Sequence, residues 1–291
     1  MAGIGKASKI NELMHKNQLR AKKKFGQNFL VDQNILRKIV QLSGVDQDTY
    51  VIEIGPGLGS LTEGLLKQSK KLLTYEIDKD FIPILKQQFQ NENFYVIEDD
   101  FLKRDVDQDV EQFLTKEEEV VVVSNLPYYI TTPIIFKILE ESTKIRRMVF
   151  MMQLEVARRM TSQPSTKDYN ALSVIIQYKT NAKFGLKIPR TVFIPEPNVD
   201  SAVIVLDQKN TDGLVQNEAH FIRFVKASFT QRRKTLVNNL YTFLEIDKAD
   251  LINDLDHLGY EKNIRAEKCK VDDFIKMHNY FYPRYVKMEH I

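Results

Sequence analysis

Between residues 50 and 206 the chain alternates short apolar runs with stretches of helical periodicity. Alternation at this spacing is typical of strands joined by crossover helices, and it predicts a parallel, doubly wound α/β sheet with helices on both faces. The predicted strands are residues 50–54, 72–77, 94–97, 120–123, 148–152 and 201–206. The predicted helices between them are residues 58–67, 81–89 and 132–141.

The sequence changes character after residue 206. Residues 207–217 are polar and include Gly213, which indicates a linker, and apolar residues then recur at helical spacing from Phe221 to Phe229. Helical periodicity continues to about Tyr280 without strand-like alternation. We therefore expect two domains: residues 1–207, a sheet domain with a basic N-terminal arm, and residues 208–291, a small all-helical domain.

Composition narrows the possible chemistry. The single cysteine, Cys269, excludes an intramolecular disulfide, and the five histidines lack metal-ligand spacing, so no metal site is expected. No run of about 18 apolar residues is present, so we expect no membrane span. The N-terminus lacks the apolar segment of a secretory signal, and a cytoplasmic protein is expected.

Positive charge is concentrated in two places, although the formal net charge is only +3. Residues 1–24 hold seven Lys and Arg against one acid, and residues 219–244 hold five with no acid. Two such clusters suit the binding of a polyanion, although each one alone is also compatible with an ordinary solvated face. The candidate polyanion-binding residues are Lys22, Lys23, Lys24, Arg223, Lys226, Arg232, Arg233 and Lys234.

A Pro-stiffened turn, Ser124-Asn125-Leu126-Pro127-Tyr128, follows four consecutive valines that predict a buried strand. The amide oxygen of Asn125 and the carbonyl oxygen of Leu126 could both accept hydrogen bonds from an exocyclic amine. Tyr128 offers a ring for base stacking, which is worth about 1–3 kcal/mol. The alternative interpretation is that Asn-x-Pro marks an ordinary loop.

A glycine-rich turn follows the first predicted strand and opens a helix. In Glu53-Ile54-Gly55-Pro56-Gly57-Leu58-Gly59, glycines allow the backbone to turn tightly and to approach a ligand at the carboxyl edge of the sheet. Gly55 and Gly57 are therefore candidate cofactor-binding residues. Ser60 breaks the Gly-x-Gly-x-x-Gly dinucleotide pattern, and no Gly-Lys-Ser/Thr is present, which disfavours an NAD oxidoreductase and a P-loop.

Three carboxylates strengthen the interpretation of this turn, and the first, Glu53, lies just inside it. Glu76 lies near the end of the second predicted strand, where an acid can hold both hydroxyls of a ribose. Asp100 follows the third, where it could accept from an adenine amino group. An adenosyl ligand without a pyrophosphate fits these positions, so S-adenosyl-L-methionine fits better than NAD. The alternative is that both acids merely end their strands.

Four stretches occur in order along the chain: Lys23-Lys24-Phe25-Gly26-Gln27-Asn28-Phe29-Leu30, Glu53 to Gly59, Asn125 to Tyr128, and Phe193-x-Pro195-x-Pro197-x-Val199-Asp200-Ser201-Ala202-Val203. Together they resemble the rRNA adenine N6-dimethyltransferase family over about residues 20–240. The resemblance implies a Rossmann-like methyltransferase domain followed by a small helical domain. It also implies S-adenosyl-L-methionine contacts from Asn28, Leu30, Gly55, Glu76, Asp100 and Asn125.

The same resemblance implies how the target would be held. Residues 125–128 would hold an adenine, and Phe193 would stack on it from the other side, although from the sequence alone Phe193 is equally a core aromatic. The implied reaction is dimethylation of N6 on two adjacent adenines in the 3′-terminal hairpin loop of 16S rRNA, with S-adenosyl-L-homocysteine as product. The implied partner is 16S rRNA in the small ribosomal subunit or its precursor, and we expect a monomer.

Other functions remain as alternatives. An Erm-type methyltransferase of large-subunit rRNA and a largely non-catalytic RNA-binding assembly factor are the main ones. A DNA adenine methyltransferase is disfavoured, because it would usually carry Pro-Pro and an aromatic in the turn. The chain also departs from the family where Pro164-Ser165 and Tyr169-Asn170 replace the usual Pro-Gly and Tyr-Gly.

Overall fold

The computed structural model describes residues 4–19, 22, 26–116 and 118–285. These residues form two compact units. One contains the described residues of Met1–Ala157 and Lys183–Gln208, and the other contains those of Arg158–Ala182 and Lys209–Ile291. Residues 158–182, which the sequence assigned to the first domain, therefore cluster with the second.

The first unit is built on a seven-stranded sheet. The strands of the chain are β1 (Phe29–Leu30), β2 (Tyr50–Ile54), β3 (Lys71–Glu76), β4 (Phe94–Glu98), β5 (Val120–Asn125), β6 (Ile145–Gln153), β7 (Thr180–Ile188), β8 (Phe193–Ile194) and β9 (Ser201–Gln208). The order in the large sheet is β4-β3-β2-β5-β6-β9-β7, and β1 pairs separately with β8. All six predicted strands are present, whereas β7, β1 and β8 were not predicted.

The sheet is mixed, so the expectation of a wholly parallel sheet was wrong. Strands β2 to β6 run parallel, but β9 runs antiparallel to β6, with Val205 opposite Val149. A parallel neighbour requires a long crossover, usually a helix. Residues 189–200, which join β9 to its other neighbour β7, contain only β8 and a short 3₁₀ turn at Arg190–Val192, so no helical crossover links those two strands.

Helices cover the sheet and form most of the second unit. They are α1 (Ala7–Lys16), α2 (Gln33–Ser43), α3 (Thr62–Gln68), α4 (Ile82–Gln88), α5 (Val106–Phe113), α6 (Thr131–Glu141), α7 (Leu154–Thr161), α8 (Ala171–Lys179), α9 (Glu218–Ser228), α10 (Leu236–Leu240), α11 (Lys248–His257) and α12 (Val271–Tyr285). The three predicted crossover helices correspond to α3, α4 and α6. Among the described residues, no helix combines the length and apolar character needed to cross a membrane.

The core of the first unit explains why its central strands read as nearly continuous apolar runs. Every residue of β2 is buried, as are the four valines of β5. Strands covered on both faces have no solvent-facing side, so the alternation of an exposed sheet disappears. The polar residues in these strands, such as Glu53 and Ser124, are consequently exceptions that need partners.

The second unit has an aromatic core. The rings of Tyr178 on α8 and Phe221 on α9 lie 4.6 Å apart between centroids, and the Tyr169 hydroxyl donates to the Cys269 carbonyl at 2.8 Å. These contacts explain why residues 158–182 cluster with residues beyond 209. The described residues of 209–285 contain helices and turns but no strand, in agreement with the predicted helical C-terminal region.

The two departures from the family pattern have local explanations in the second unit. Ser165 adopts a positive φ of 69°, the left-handed region in which glycine is favoured, and its amide donates to the Glu267 carbonyl at 2.7 Å. Asn170 is the N-cap of α8 and forms a capping box with Ser173. Both positions are therefore structural in this unit.

Candidate active site

A pocket of about 200 Å³ lies where β2, β3 and β5 end at one edge of the sheet. Parallel strands bring their carboxyl ends to the same edge, which is where ligands of open α/β sheets bind. All seven residues predicted to bind the cofactor line this pocket: Asn28, Leu30, Gly55, Gly57, Glu76, Asp100 and Asn125. The turn residues Leu126, Pro127 and Tyr128 line it as well.

The glycine turn is fixed by hydrogen bonds to the neighbouring strand. The Gly55 amide donates to the Tyr75 carbonyl at 2.8 Å, and the Gly57 amide donates to Glu76 Oε2 at 2.9 Å. Gly57 has a φ of +57°, and a Cβ there would lie 3.1 Å from Cε1 of Phe29. A side chain at Gly57 would therefore be strained and would press on the wall of the pocket.

Glu76 is buried and held from two sides. Its Oε1 accepts from the Asp78 amide at 2.8 Å, while Oε2 accepts from Gly57. Burial raises its pKa to about 7, although the backbone hydrogen bonds from Asp78 and Gly57 act in the opposite direction. An acid poised in this way can accept from ribose hydroxyls once it is ionised.

Glu53 lies deeper, with only 2 % of its surface exposed. Its Oε2 accepts from the Thr62 hydroxyl at 2.6 Å. Burial raises the pKa of this carboxyl to about 8, partly offset by the Thr62 hydrogen bond and reinforced by the nearby Glu76. At neutral pH this side chain is therefore mostly a neutral carboxylic acid.

Asp100 follows β4 and lines the pocket. Its carboxylate accepts from the Leu102 amide at 3.0 Å and caps the 3₁₀ turn Phe101–Lys103, and its own amide donates to Asp99 Oδ1 at 2.7 Å. The capping hydrogen bond engages one carboxylate oxygen, Oδ1. The structural cap is therefore present, and Asp100 also lines the pocket, whereas its contact with an adenine amino group stays a prediction.

The Asn125 side chain has a defined orientation. Its Nδ2 donates to the Asn28 carbonyl at 3.2 Å. Because a backbone carbonyl can only accept, the nitrogen of the amide must face Asn28, and Oδ1 is directed elsewhere as an acceptor. This is the atom that the sequence assigned to an exocyclic amine.

The rest of the turn is anchored on both sides. The Leu126 amide donates to the Met151 carbonyl at 3.3 Å, and the Pro127 carbonyl accepts from the Ile130 amide at 3.2 Å and from the Thr131 hydroxyl at 3.1 Å. The Met151 bond joins the turn to β6, and the Pro127 bonds join it to the start of α6. The turn is therefore held in place at the pocket, which residues 125–128 line.

Tyr128 is fixed through its hydroxyl, which hydrogen-bonds to the Ser201 hydroxyl at 2.7 Å. Burial raises the pKa of Tyr128, with the Ser201 bond acting against it, so the phenol is neutral. Its neighbour Tyr129 also lines the pocket and is 60 % exposed. Sequence reasoning missed Tyr129, although its place in the same turn was a usable signal.

Phe193 lies in the apolar core next to the pocket-lining residue Leu30. It is 3 % exposed, belongs to the apolar core and is not among the residues lining the pocket. The physical reason is the short ladder between β8 and β1, which sets Phe193 opposite Leu30. The burial of Phe193 agrees with the interpretation as a core aromatic, and stacking on the target base stays a prediction.

The basic residues fall into three groups. Lys23 and Lys24 lie outside the described residues. Lys22 Nζ donates to Asp78 Oδ1 and Asp80 Oδ2, each at 2.6 Å, so its charge is engaged within the first unit. The five candidate polyanion-binding residues of the second unit are exposed, namely Arg223, Lys226, Arg232, Arg233 and Lys234.

The buried hydroxyl of Ser60 supports the fit of S-adenosylmethionine, a nucleoside that carries an amino acid. Ser60 lines the pocket, and its buried hydroxyl has no hydrogen-bond partner among the described residues. A Cβ added at Gly55 would meet no atom within 4 Å, so the backbone there borders open space. Together with the acids Glu76 and Asp100, these features match the polar groups of S-adenosylmethionine, and the residues present fit this cofactor.

The fold and this pocket define the class of Rossmann-like, S-adenosylmethionine-dependent methyltransferases. The sequence profile of the family described as Ribosomal RNA adenine dimethylase matches residues 18–282. The chain belongs to this family. It is therefore an S-adenosylmethionine-dependent enzyme that methylates adenine in ribosomal RNA.

Curated relatives match over nearly the whole chain. The Ribosomal RNA small subunit methyltransferase A of Bacillus licheniformis is 45% identical over 271 residues, which cover 91% of this chain and 93% of the relative. The protein of the same name from Bacillus pumilus is 44% identical over 276 residues, or 93% of this chain and 94% of the relative.

Solved structures give the same fold. A dimethyladenosine transferase from Plasmodium falciparum superimposes with a TM-score of 0.72 at 26% identity, covering 85% of this chain and 95% of that one. The 23S rRNA methyltransferase ErmE gives a TM-score of 0.65 at 24% identity, covering 89% and 99%. At that identity the second likeness concerns the fold alone.

Proposed function

We propose that this chain methylates N6 of two adjacent adenines in the 3′-terminal hairpin loop of 16S rRNA, forming N6,N6-dimethyladenosine during small-subunit biogenesis. The observation that carries the proposal is that the Asn125 turn and the Glu76 carboxylate line one pocket. The names of the relatives from Bacillus support the small subunit as the target. The enzyme would act as a monomer in the cytoplasm.

The acceptor atoms of the turn give the pocket its chemistry. Asn125 Oδ1 and the Leu126 carbonyl would accept the two hydrogens of the adenine amino group, because Asn125 Nδ2 is already engaged with Asn28. Two such hydrogen bonds draw the amino nitrogen away from conjugation with the ring and expose its lone pair. The Tyr128 ring, held by Ser201, would stack on the base.

Catalysis would rest on positioning and electrostatics. S-adenosylmethionine, when bound, supplies an electrophilic methyl group on a positively charged sulfur. The rigid turn would hold the adenine amino group in line with that methyl group, and no nucleophilic side chain is needed. The target base must leave its stack to reach the pocket, which costs a few kcal/mol and less in a hairpin loop.

The cations of the second unit would bind the rRNA backbone. Arg223 and Lys226 lie on the exposed side of α9, opposite the buried Phe221 and Phe224. Arg232 is partly engaged, since it pairs with Glu267 at 3.3 Å. Arginine and lysine side chains in such a cluster neutralise phosphates without reading sequence.

The test is transfer of radiolabelled methyl from S-adenosylmethionine to three substrates: undermethylated small subunits, large-subunit rRNA and adenine-containing duplex DNA. We expect N6,N6-dimethyladenosine only in the small subunits. Label in large-subunit rRNA would favour the Erm-type activity, and no label in any substrate would favour a non-catalytic assembly factor.

The variant Asn125→Ala tests the assigned chemistry. It removes the acceptor for the adenine amino group, so methyl transfer should be lost while rRNA binding is largely kept. Asn91→Ala, at an exposed position before β4, is a matched control outside the pocket. Retained turnover in Asn125→Ala would contradict the role given to this residue.

A further inference from the structure

Asp78 is a buried carboxylate beside the cofactor pocket whose role is not explained by the reaction. It lies two residues beyond Glu76 and is 2 % exposed. Its backbone amide donates to Glu76 Oε1 at 2.8 Å. Asp78 therefore directly supports the acid that faces the pocket.

The carboxylate of Asp78 is bound by the segment that precedes β1. Oδ1 accepts from Lys22 Nζ at 2.6 Å, and Oδ2 accepts from Gln27 Nε2 at 2.8 Å. The Lys22 amide in turn donates to Gln27 Oε1 at 2.8 Å, which closes a ring of three residues. We call Asp78, Lys22 and Gln27 the clasp.

The charges in the clasp are fixed by these contacts. Burial alone would raise the pKa of Asp78, but the hydrogen bonds from Lys22 and Gln27 hold it below its ordinary value, so the carboxylate is ionised at neutral pH. Charge-assisted hydrogen bonds to a buried carboxylate are stronger than exposed ion pairs. Lys22 also pairs with Asp80, whose side chain is 51% exposed.

The same segment touches the pocket at its other end. Gln27 and Asn28 line the pocket, and the Asn28 carbonyl accepts from Asn125 Nδ2 at 3.2 Å. Residues 26–28 are thus fastened to the end of β3 by the clasp and to the end of β5 by Asn125. A cofactor in this pocket would lie beside residues 26–28, which are hydrogen-bonded on both sides.

We propose that Asp78 is a positioning residue and that the clasp retains the cofactor by holding residues 26–28 along the pocket. The clasp must open for S-adenosylhomocysteine to leave, so it sets the residence time of the product. Lys22 then acts within the cofactor site, and not as one of the cations that bind RNA. The proposal rests on S-adenosylmethionine as cofactor but not on which rRNA adenines are modified.

The experiment measures the affinity and dissociation rate of radiolabelled S-adenosylhomocysteine without any RNA, so its result is independent of the rRNA target. Asp78→Asn keeps the size of the side chain but removes its charge, and we expect dissociation about 10-fold faster. Lys22→Met should act in the same direction, and Lys22→Arg should restore slow dissociation because it keeps the charge.

Asp80→Asn is the matched control. It removes the exposed partner of Lys22 and leaves the buried one, so dissociation should change by less than about 2-fold. Hydrogen exchange of residues 26–30 in the cofactor-free protein adds a readout that does not depend on binding. Exchange there should be faster in Asp78→Asn and Lys22→Met than in Asp80→Asn.

Three results would overturn the proposal. One is an unchanged dissociation rate in Lys22→Met together with weakened rRNA binding, which would make Lys22 a phosphate contact. Another is an equal effect of Asp78→Asn and Asp80→Asn. The third is faster exchange throughout the first unit with no excess at residues 26–30, which would mean that Asp78 serves only general stability. If Asp78→Asn fails to fold, the Lys22 variants decide.

Discussion

Replacing Glu53 by Gln should stabilise the protein at neutral pH. Glu53 is buried, and its pKa is raised from 4.5 to about 8, so folding requires the carboxyl group to take up a proton at any pH between these values. The folded protein then loses stability as the pH rises from 4.5 through about 8. Gln is neutral at every pH, nearly the same size, and can still accept from the Thr62 hydroxyl.

The size of the effect follows from the proton count. Each pH unit across this interval costs about 1.4 kcal/mol for one proton, and the slope falls off near the folded-state pKa. Between pH 5.5 and pH 7.5 the stability advantage of Glu53→Gln over the parent should therefore grow by about 2.5 kcal/mol. Because the group is fully buried, this figure needs no reduction for solvent screening.

Urea unfolding of both proteins at the two pH values measures this difference. Comparing the variant with the parent cancels the titration of every group that does not interact with Glu53. Glu98→Gln, at an exposed site paired with Lys79, is a control that should change stability by less than about 0.5 kcal/mol. A stability difference between Glu53→Gln and the parent that is the same at both pH values would refute the assignment of a neutral, buried Glu53.

Three further predictions concern binding. Burial raises the pKa of Glu76 to about 7, and ribose hydroxyls donate to its ionised form. The affinity for S-adenosylmethionine, measured by calorimetry, should therefore fall about 10-fold from pH 8 to pH 6. An affinity that does not change with pH would exclude Glu76 as the ribose acceptor. Ser201→Ala removes the hydrogen-bond partner of the Tyr128 hydroxyl, so the KM for small subunits should rise several-fold while the affinity for the cofactor stays constant. A change in cofactor affinity would contradict the assignment of Tyr128 to the target base alone. Arg233→Gln and Lys234→Gln should each lower the slope of log K against log salt for rRNA binding by about 1, and an unchanged slope would show that these cations do not meet phosphates.

Much of the site could be predicted because it depends on neighbours along the chain. Glu76 is the last residue of β3 and Asp100 follows β4, and the parallel arrangement of β2, β3 and β4 brings the strand ends to one edge. The turn of residues 125–128 was recognisable because four buried valines precede it. Local sequence and the geometry of a parallel sheet were sufficient for these residues.

Contacts between distant parts of the chain could not be predicted in this way. Ser201 supports Tyr128 from 73 positions away, and Lys22 meets Asp78 across 56 positions. Local patterns carry no signal for such pairs, so Lys22 was grouped with its basic neighbours. The burial of Phe193 was likewise not decided by the local sequence, because it involves the pairing of β8 with the distant strand β1.

The discontinuous second unit has a consequence for exchanging parts between relatives. Residues 158–182 belong to the second unit although they lie between the two chain segments of the first. They supply α8 to the aromatic core around Phe221. A chimaera joined only near residue 208 would combine α8 of one parent with α9 of the other, and the Tyr178–Phe221 contact would be mismatched. The second unit can therefore be transplanted intact only if both of its segments, residues 158–182 and the residues from 209 onward, are exchanged together.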